Sequence, residues 1–184
     1  LRRRNDANEI EKTFNMIKFK SPLVWKAYLN AKSEVLGPGN KEMIKIIDSL
    51  KKVYPEDEGF NDIYKYVRIG KANTVVALNA VQFAEKDFKE KRFKKAIERY
   101  LYAIKLDPFD FSYYENIALS YQNLGDTKNA YKYFDIVIDS LNPKTGKSEF
   151  YKGVNLIMDK EIKKGCILLK KSLNYGFSGA RNVM

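Results

Sequence analysis

A spaced pattern of small and large apolar residues constrains the fold of this chain more than any other feature. Between residues 111 and 143 it reads Tyr114-x2-Ile117-Ala118-x2-Tyr121, then Gly125-Asp126, then Ala130-x3-Phe134, then Pro143. The same pattern recurs 34 residues earlier and, with one inserted residue, 35 residues later. Apolar residues elsewhere recur mostly at helical spacing, and no segment alternates like a strand. The period predicts stacked pairs of helices, because one pair alone buries too little apolar surface.

The pattern resembles the tetratricopeptide repeat, a helix-turn-helix motif of about 34 residues. Its copies start near Ala77, Phe111 and Gly146. Small residues are expected where the two helices of a pair cross: Ala84, Ala96, Ala118, Ala130, Gly153 and Gly165. Large residues are expected to fill the gaps between pairs: Phe83, Tyr100, Tyr121, Phe134 and Leu169. The resemblance implies an all-α fold, a right-handed α-solenoid of about three such repeats preceded by about four less regular helices.

Two domains are expected, an N-terminal helical region at residues 1–73 and the repeat array at residues 74–184. Helices in the first domain are predicted over about 7–19, from Pro22 to the Gly-Pro-Gly at 37–39, and over about 41–53 and 61–72. Residues 22–53 are either a degenerate repeat, with Trp25 at its aromatic position, or helices outside the array. Residues 172–180 resemble the junction between Sel1-like repeats, after which either a short helix caps the array or the fragment ends.

The composition argues against an enzyme. The 184 residues include no histidine and one cysteine, Cys166. These counts remove the commonest general base, the usual nucleophile pairs and most zinc sites. The acidic run Glu56-Asp57-Glu58 lacks the alternation of a calcium loop and is typical of a solvated connection or an anionic helix start. We therefore predict a non-enzymatic protein without cofactor or metal, and a Cys166 thiol packed within its apolar helical run.

Net charge and targeting signals limit the cellular compartments and the classes of partner that are compatible with the sequence. The sequence shows no apolar run of span length and no signal peptide. A single cysteine fits a cytoplasmic protein, and a periplasmic protein without disulfides has the same cysteine usage. The net charge is +11, but lysines alternate with Glu and Asp along the helices, which is typical of solvated helical faces. Nucleic-acid binding would use basic residues of the second helices of the repeats: Lys94, Lys95, Arg99, Lys163, Lys164, Lys170 and Lys171.

Tetratricopeptide arrays bind protein segments in a trough lined by the first helix of each pair. The resemblance places these residues at the trough-facing positions: Leu78, Val81, Glu85, Phe88, Lys89, Glu115, Leu119, Gln122, Asn123, Lys147, Phe150, Val154, Ile157 and Met158. The stretch from the third repeat is markedly apolar. Either an apolar or amphipathic segment of a partner binds there, or one of the chain's own helices covers it.

One subset of the family grips a C-terminal carboxylate with lysine, asparagine and arginine side chains. Here Asn116 and Lys147 match single positions of that clamp, but Val81, Glu85 and Tyr151 stand where the family has its other polar or basic groups. Glu85 would repel a carboxylate. The chain is therefore not expected to receive chaperone tails.

The leading functional hypothesis is a protein–protein interaction module. One alternative is a soluble cytoplasmic appendage of a larger, membrane-anchored protein, with Leu1-Arg2-Arg3-Arg4 as a basic stop beside a membrane span rather than a solvated terminus. A third is a basic nucleic-acid-binding helical repeat. The sequence does not identify the partner.

Overall fold

The computed structural model describes residues 2–18 and 20–182, and over these residues the fold is all-α, as predicted. Helices α1 to α5 are Arg2–Met16, Pro22–Leu36, Lys41–Val53, Glu58–Ile69 and Lys71–Lys89. Helices α6 to α10 are Phe93–Leu106, Phe111–Asn123, Thr127–Asp135, Lys147–Met158 and Ile162–Asn174. A π-helix, Ile136–Leu141, continues α8, and a 3₁₀ helix, Ser178–Asn182, follows α10. The chain divides into two compact units between Val76 and Ala77.

Local signals set most helix ends in the first unit. The Ser21 side chain caps α2, whose first residue is Pro22, and Gly37 ends that helix with φ 78°. Asn40 caps α3 by accepting hydrogen bonds from the N–H groups of Glu42 and Met43, both at 3.1 Å. The observed bounds of α3, Lys41–Val53, are those predicted.

Two helices of the first unit differ from their predicted bounds. Helix α1 begins at Arg2 and ends at Met16, whereas the sequence placed it over about 7–19; Phe19 lies outside the described residues. Helix α4 ends at Ile69 rather than at Ala72. The reason is Gly70, whose φ of 79° breaks the helix before α5 starts at Lys71. The expected domain boundary at 73/74 therefore falls inside α5.

The core of the first unit forms from all four helices. Leu29, Met43, Ile47, Phe60 and Val67 are fully buried there. Helix α1 packs chiefly on α2, and α3 packs chiefly on α4. Residues 22–53 thus contain the second helix of one antiparallel pair and the first helix of the next.

The second unit contains the three predicted helix pairs, α5 with α6, α7 with α8, and α9 with α10. Helix α7 begins at Phe111 and α9 at Lys147, directly after Gly146. The six small residues expected at the helix crossings are all buried. Tyr100, Phe134 and Leu169 are buried as expected, and Tyr121 is half-buried and stacks on Tyr133 with 5.7 Å between ring centroids.

Two side chains predicted to pack inside are exposed. Phe83 is 57% exposed, because the buried stripe of α5 follows Ala77, Val81 and Ala84, and Phe83 lies off that stripe. The prediction of a packed thiol at Cys166 is also wrong, since this residue is exposed. The inward face of α10 is Gly165, Leu169 and Ser172, and Cys166 lies about 100° around the helix from Gly165.

The inserted residue between the second and third repeats coincides with the π-helix Ile136–Leu141. A π-turn accommodates one extra residue within a helix. Here the Asn142 N–H donates to the Val137 carbonyl five residues earlier, at 2.7 Å, and Asn142 then ends the helix in the left-handed conformation with φ 42°. The array therefore absorbs its insertion inside a helix rather than in a loop.

In the part of the chain that the structure describes, every helix is too short or too polar to cross a membrane.

Candidate protein-binding trough

The predicted trough residues lie on α5, α7 and α9, and equivalent positions agree in burial only in part. Val81 and Glu115 are buried, and their third-repeat equivalent Phe150 is half-buried. The last position of each stretch, Lys89, Asn123 or Met158, is exposed. The half-buried members are Phe88, Leu119, Gln122, Lys147, Val154 and Ile157, whereas Leu78 and Glu85 are exposed. The last predicted trough position is thus exposed in every repeat, whereas Glu85 is exposed and its equivalents Leu119 and Val154 are half-buried.

Glu115 joins the first helices of the second and third repeats. Its carboxylate is 3% exposed and accepts a hydrogen bond from Ser148 Oγ at 2.9 Å. Lys147 Nζ lies 3.3 Å from its other oxygen. Two predicted trough residues therefore bind each other, and they fix α9 against α7. Sequence reasoning did not single out Ser148, although its spacing of 33 residues from Glu115 is close to the repeat period.

Gln122 makes a second link between the same two helices. Its Nε2 donates to Asn155 Oδ1 at 3.1 Å, again across 33 residues. Gln122 Oε1 is buried without a hydrogen-bond partner among the described residues. Turning both amides over would exchange the oxygen and nitrogen but would still leave one polar atom of Gln122 unpaired. The predicted trough therefore contains a buried polar atom that forms no hydrogen bond with the described residues.

The two side chains that match the carboxylate clamp already have partners within the protein. Asn116 interacts with the Tyr100 hydroxyl, and Lys147 pairs with Glu115. Burial raises the pKa of Tyr100, and the nearby Glu85 carboxylate raises it further. A negative charge at Glu85 opposes a bound carboxylate.

The apolar stretch of the third repeat is partly covered by the chain itself. The Phe150 ring packs on Phe177, just before the 3₁₀ helix, with 5.2 Å between centroids. Ile157 packs against Gly165 of α10. Val154 stays half-buried and Met158 is 75% exposed. Self-coverage therefore reaches Phe150 but leaves Val154 and Met158 accessible.

The basic residues considered for nucleic-acid binding are partly neutralised. Arg99 Nε donates to Asp87 at 2.7 Å, Lys171 lies 3.2 Å from Glu149, and Lys164 pairs with Glu161. The Arg92 and Arg99 guanidinium groups hold the pKa of Asp87 below its usual value. Of the seven basic residues considered, the exposed Lys94, Lys95, Lys163 and Lys170 form no ion pair with the described residues.

The other signals singled out in the sequence do not form a chemical site. Asp57 of the acidic loop stands directly before α4 and bonds Lys26 Nζ at 2.9 Å. Within residues 2–18 and 20–182, no group of three or more acidic or cysteine side chains is placed to hold a metal. Leu1 and the side chains of the basic run at 2–4 lie outside the described residues.

Comparison with known proteins supports the repeat assignment. Residues 85–125 match the TPR repeat family, and this segment contains the turn between the first and second repeats. The chain has no significant match among curated proteins.

Two solved structures share the fold. The crystal structure of MamA superposes with a TM-score of 0.53 at 18% identity, covering 84% of this chain and 90% of MamA. The MamA RS-1 ArsTM double mutant superposes with a TM-score of 0.51 at 14% identity, covering 95% of this chain and 96% of the mutant. At these identities the likeness concerns the fold alone. The chain is thus an all-α helical-repeat protein with a tetratricopeptide repeat segment at residues 85–125.

Proposed function

We propose that this protein is a non-enzymatic scaffold that binds a segment of another protein along the trough of α5, α7 and α9. The tetratricopeptide segment and the repeat fold support a role in protein–protein interaction. We assign the binding surface to this trough, and the bound segment to an apolar or amphipathic class, because of the side chains that remain accessible there.

The pairing of Gln122 with Asn155 is the observation that carries the proposal. It leaves one buried polar atom of Gln122 without a partner, between helices α7 and α9. Leu119 lies one turn before Gln122 on α7, and Val154 precedes Asn155 on α9; both are half-buried. A bound segment would cover the apolar side chains on either side, and a rotation of the Gln122 side chain would let that segment bond its amide. Such a combination recognises an amphipathic segment, because apolar contact supplies affinity and the polar atom fixes the register.

Arginine substitutions in the trough test the assignment. We expect Leu119→Arg and Val154→Arg to abolish capture of the partners that the parent protein retains from its native host, since each places a charge in the apolar contact. Ile167→Arg is the matched control, because Ile167 is 67% exposed on α10 outside the trough. Mass spectrometry identifies the captured proteins, and circular dichroism verifies that each variant stays helical. If both trough variants capture the parent's partners, the trough is not the binding surface.

The cellular setting belongs to the same proposal. We place the scaffold in the cytoplasm, in keeping with its single cysteine. Catalysis has no part in it, because the sequence contains no histidine to act as a general base or nucleophile partner.

A further inference from the structure

A groove in the first unit lies apart from the trough and has no role in the proposed function. It is formed by the antiparallel helices α1 and α2 and has a volume of about 560 Å³. One wall is formed by Ile10 and Phe14 of α1 and by Ile17, which directly follows α1. The other wall, on α2, includes Ala27 and Ala31. The wall from Asp6 to Ile17 is ~16 Å long, which corresponds to about three turns of helix. Because Ala27 and Ala31 are small and one turn apart, another helix can approach α2 closely.

Two carboxylates line one end of this groove, in the part of α1 that follows the arginines at 2–4. They belong to Asp6 and Glu9; both residues are exposed, and neither forms an ion pair with the described residues. By contrast, Glu11 on the neighbouring face of α1 is already paired with Lys32. The opposite end is bounded by Lys20, whose ammonium lies 4.9 Å from the Phe14 ring centroid.

We propose that the α1–α2 groove is a docking site for an amphipathic helix of a partner protein that carries Lys or Arg next to its apolar face. The two apolar walls, including the alanines of α2, accept the apolar face of the helix, and Asp6 and Glu9 pair with its basic residues. Helix-in-groove binding uses side chains one turn apart, which is the spacing of the groove walls.

Two synthetic peptides of about 16 residues test this proposal, a length at which amphipathic helices begin to form. Both carry leucines at helical spacing and no tryptophan; one has lysines beside the leucines, and its twin has glutamates at those positions. The fluorescence of Trp25 reports on the groove, because it is the only tryptophan and its ring centroid lies 4.7 Å from that of Phe14. Titration of the full chain at about 50 mM salt then compares the two affinities.

The lysine peptide is expected to bind about tenfold more tightly than its glutamate twin, from two exposed ion pairs. The overall positive charge of the chain favours the opposite order. A preference for the lysine peptide therefore reports the contribution of Asp6 and Glu9 to its affinity. The double variant Asp6→Lys, Glu9→Lys is expected to remove this preference.

A matched pair of substitutions locates the bound peptide. Ala27→Gln adds an uncharged bulky side chain to the α2 wall of the groove and is expected to weaken binding of the lysine peptide about tenfold. Ala72→Gln, at an exposed alanine of α5, is expected to leave it unchanged. Circular dichroism shows whether the Ala27→Gln protein remains folded, and if it does not, the charge-reversal variant alone decides the test.

Several results would overturn the proposal. These are equal affinity for the two peptides, no binding of either, or binding detected by peptide anisotropy without a change in Trp25 emission. Self-association would also overturn it: if Trp25 emission and light scattering change together with protein concentration in the absence of peptide, a second copy of the chain occupies the groove.

Discussion

Helices α9 and α10 approach each other closely at Gly153 and Gly165. A Cβ atom at position 165 would lie 2.6 Å from the Gly153 carbonyl oxygen and 2.5 Å from Ile157 Cγ1. A Cβ at position 153 would be less crowded, at 3.0 Å from the Gly165 carbonyl oxygen. Alanine in a helix normally stabilises it relative to glycine, by about 1 kcal/mol. The crowding at position 165 is expected to reverse that sign.

Gly165→Ala is therefore predicted to lower the free energy of unfolding by about 1–3 kcal/mol, the usual cost of overpacking. Gly153→Ala should cost less, because its nearest contacts are longer. Urea denaturation measures both, with Cys166→Ala as the control at an exposed position of the same helix. A stabilised Gly165→Ala protein would show that the two helices can separate without loss.

Lys32 is a buried cation held by three partners. It is 5% exposed, donates to the Tyr28 hydroxyl at 2.7 Å, lies 3.2 Å from Glu42 and pairs with Glu11. Burial alone would lower the pKa of Lys32, but these hydrogen bonds outweigh it and raise that pKa. Burial raises the pKa of Tyr28 to about 12. The bond from Lys32 lowers the pKa of Glu11, so Glu11 stabilises the fold in its charged form.

Glu11→Gln is predicted to lower the free energy of unfolding by about 1 kcal/mol at neutral pH, a charge-assisted bond reduced by partial exposure. The contribution of Glu11 is complete above its unfolded pKa of about 4.3 and is lost as pH falls through its lower folded pKa. The parent and the variant should therefore converge in acid. Denaturation between about pH 7 and pH 3 tests this, and a constant difference would contradict it.

Lys32→Met is the informative companion to this variant. It removes the buried charge, whereas Glu11→Gln leaves that charge with one carboxylate fewer, so a smaller loss of stability than for Glu11→Gln is expected in the same denaturation measurement.

The helices themselves were largely predictable, because capping residues and apolar spacing act within a few residues. Pro22 and the Gly-Pro-Gly at 37–39 bound α2 in the sequence as they do in the structure. The end of α4 was missed because Gly70 lies within an otherwise continuous helical pattern. Which side of a helix is buried depends on its neighbours, and this is why the exposure of Phe83 and Cys166 was not foreseen.

The helices that carry the predicted trough positions could also be placed from the repeat, but the contacts between those positions could not. Ser148 and Asn155 reach Glu115 and Gln122 only because α9 lies beside α7 in a particular register. The groove of the first unit escaped sequence reasoning for a similar reason. Asp6 and Glu9 look like ordinary surface carboxylates until α2 is packed beside α1.

The π-helix provides a test at the level of one element. Deleting Ser140, an exposed residue of Ile136–Leu141, should convert the π-turn to α-helix and restore the spacing of the other repeats. The deletion removes one residue from the π-helix, which is the element that holds the extra residue. The free energy of unfolding should therefore stay within about 1 kcal/mol of that of the parent. Urea denaturation provides the comparison.

A deletion in a regular helix is the control for this experiment. Deleting the exposed Lys170 from α10 would rotate the following residues by about 100°, including Ser172, which bonds the Gly146 carbonyl at 2.6 Å. A loss of about 3 kcal/mol or more is expected there. If both deletions cost the same, the π-turn does not accommodate the insertion.

Over the whole molecule, the division between Val76 and Ala77 separates two sets of internal contacts. The first and second repeats share one core: Val81 and Ala84 of α5 pack in one cluster with Ala96 and Tyr100 of α6 and Ile117 of α7. In such an array, stability is the sum of the pairs and of the interfaces between neighbours. The array therefore depends on complete pairs, and the boundary that preserves them is the start of α5 at Lys71.

The fragment 71–184 is accordingly predicted to be helical and to unfold cooperatively, because it keeps every helix of the three pairs. The fragment 90–184 lacks α5 and uncovers Ala96 and Tyr100, which are at most 1% exposed in the full chain. Its free energy of unfolding should be lower by about 3 kcal/mol or more, as for other losses of large core contacts. Circular dichroism with urea denaturation of both fragments makes the comparison. An unfolded 71–184 fragment would mean that the array requires the first unit, whereas equal stability of the two fragments would mean that α5 contributes nothing to the array.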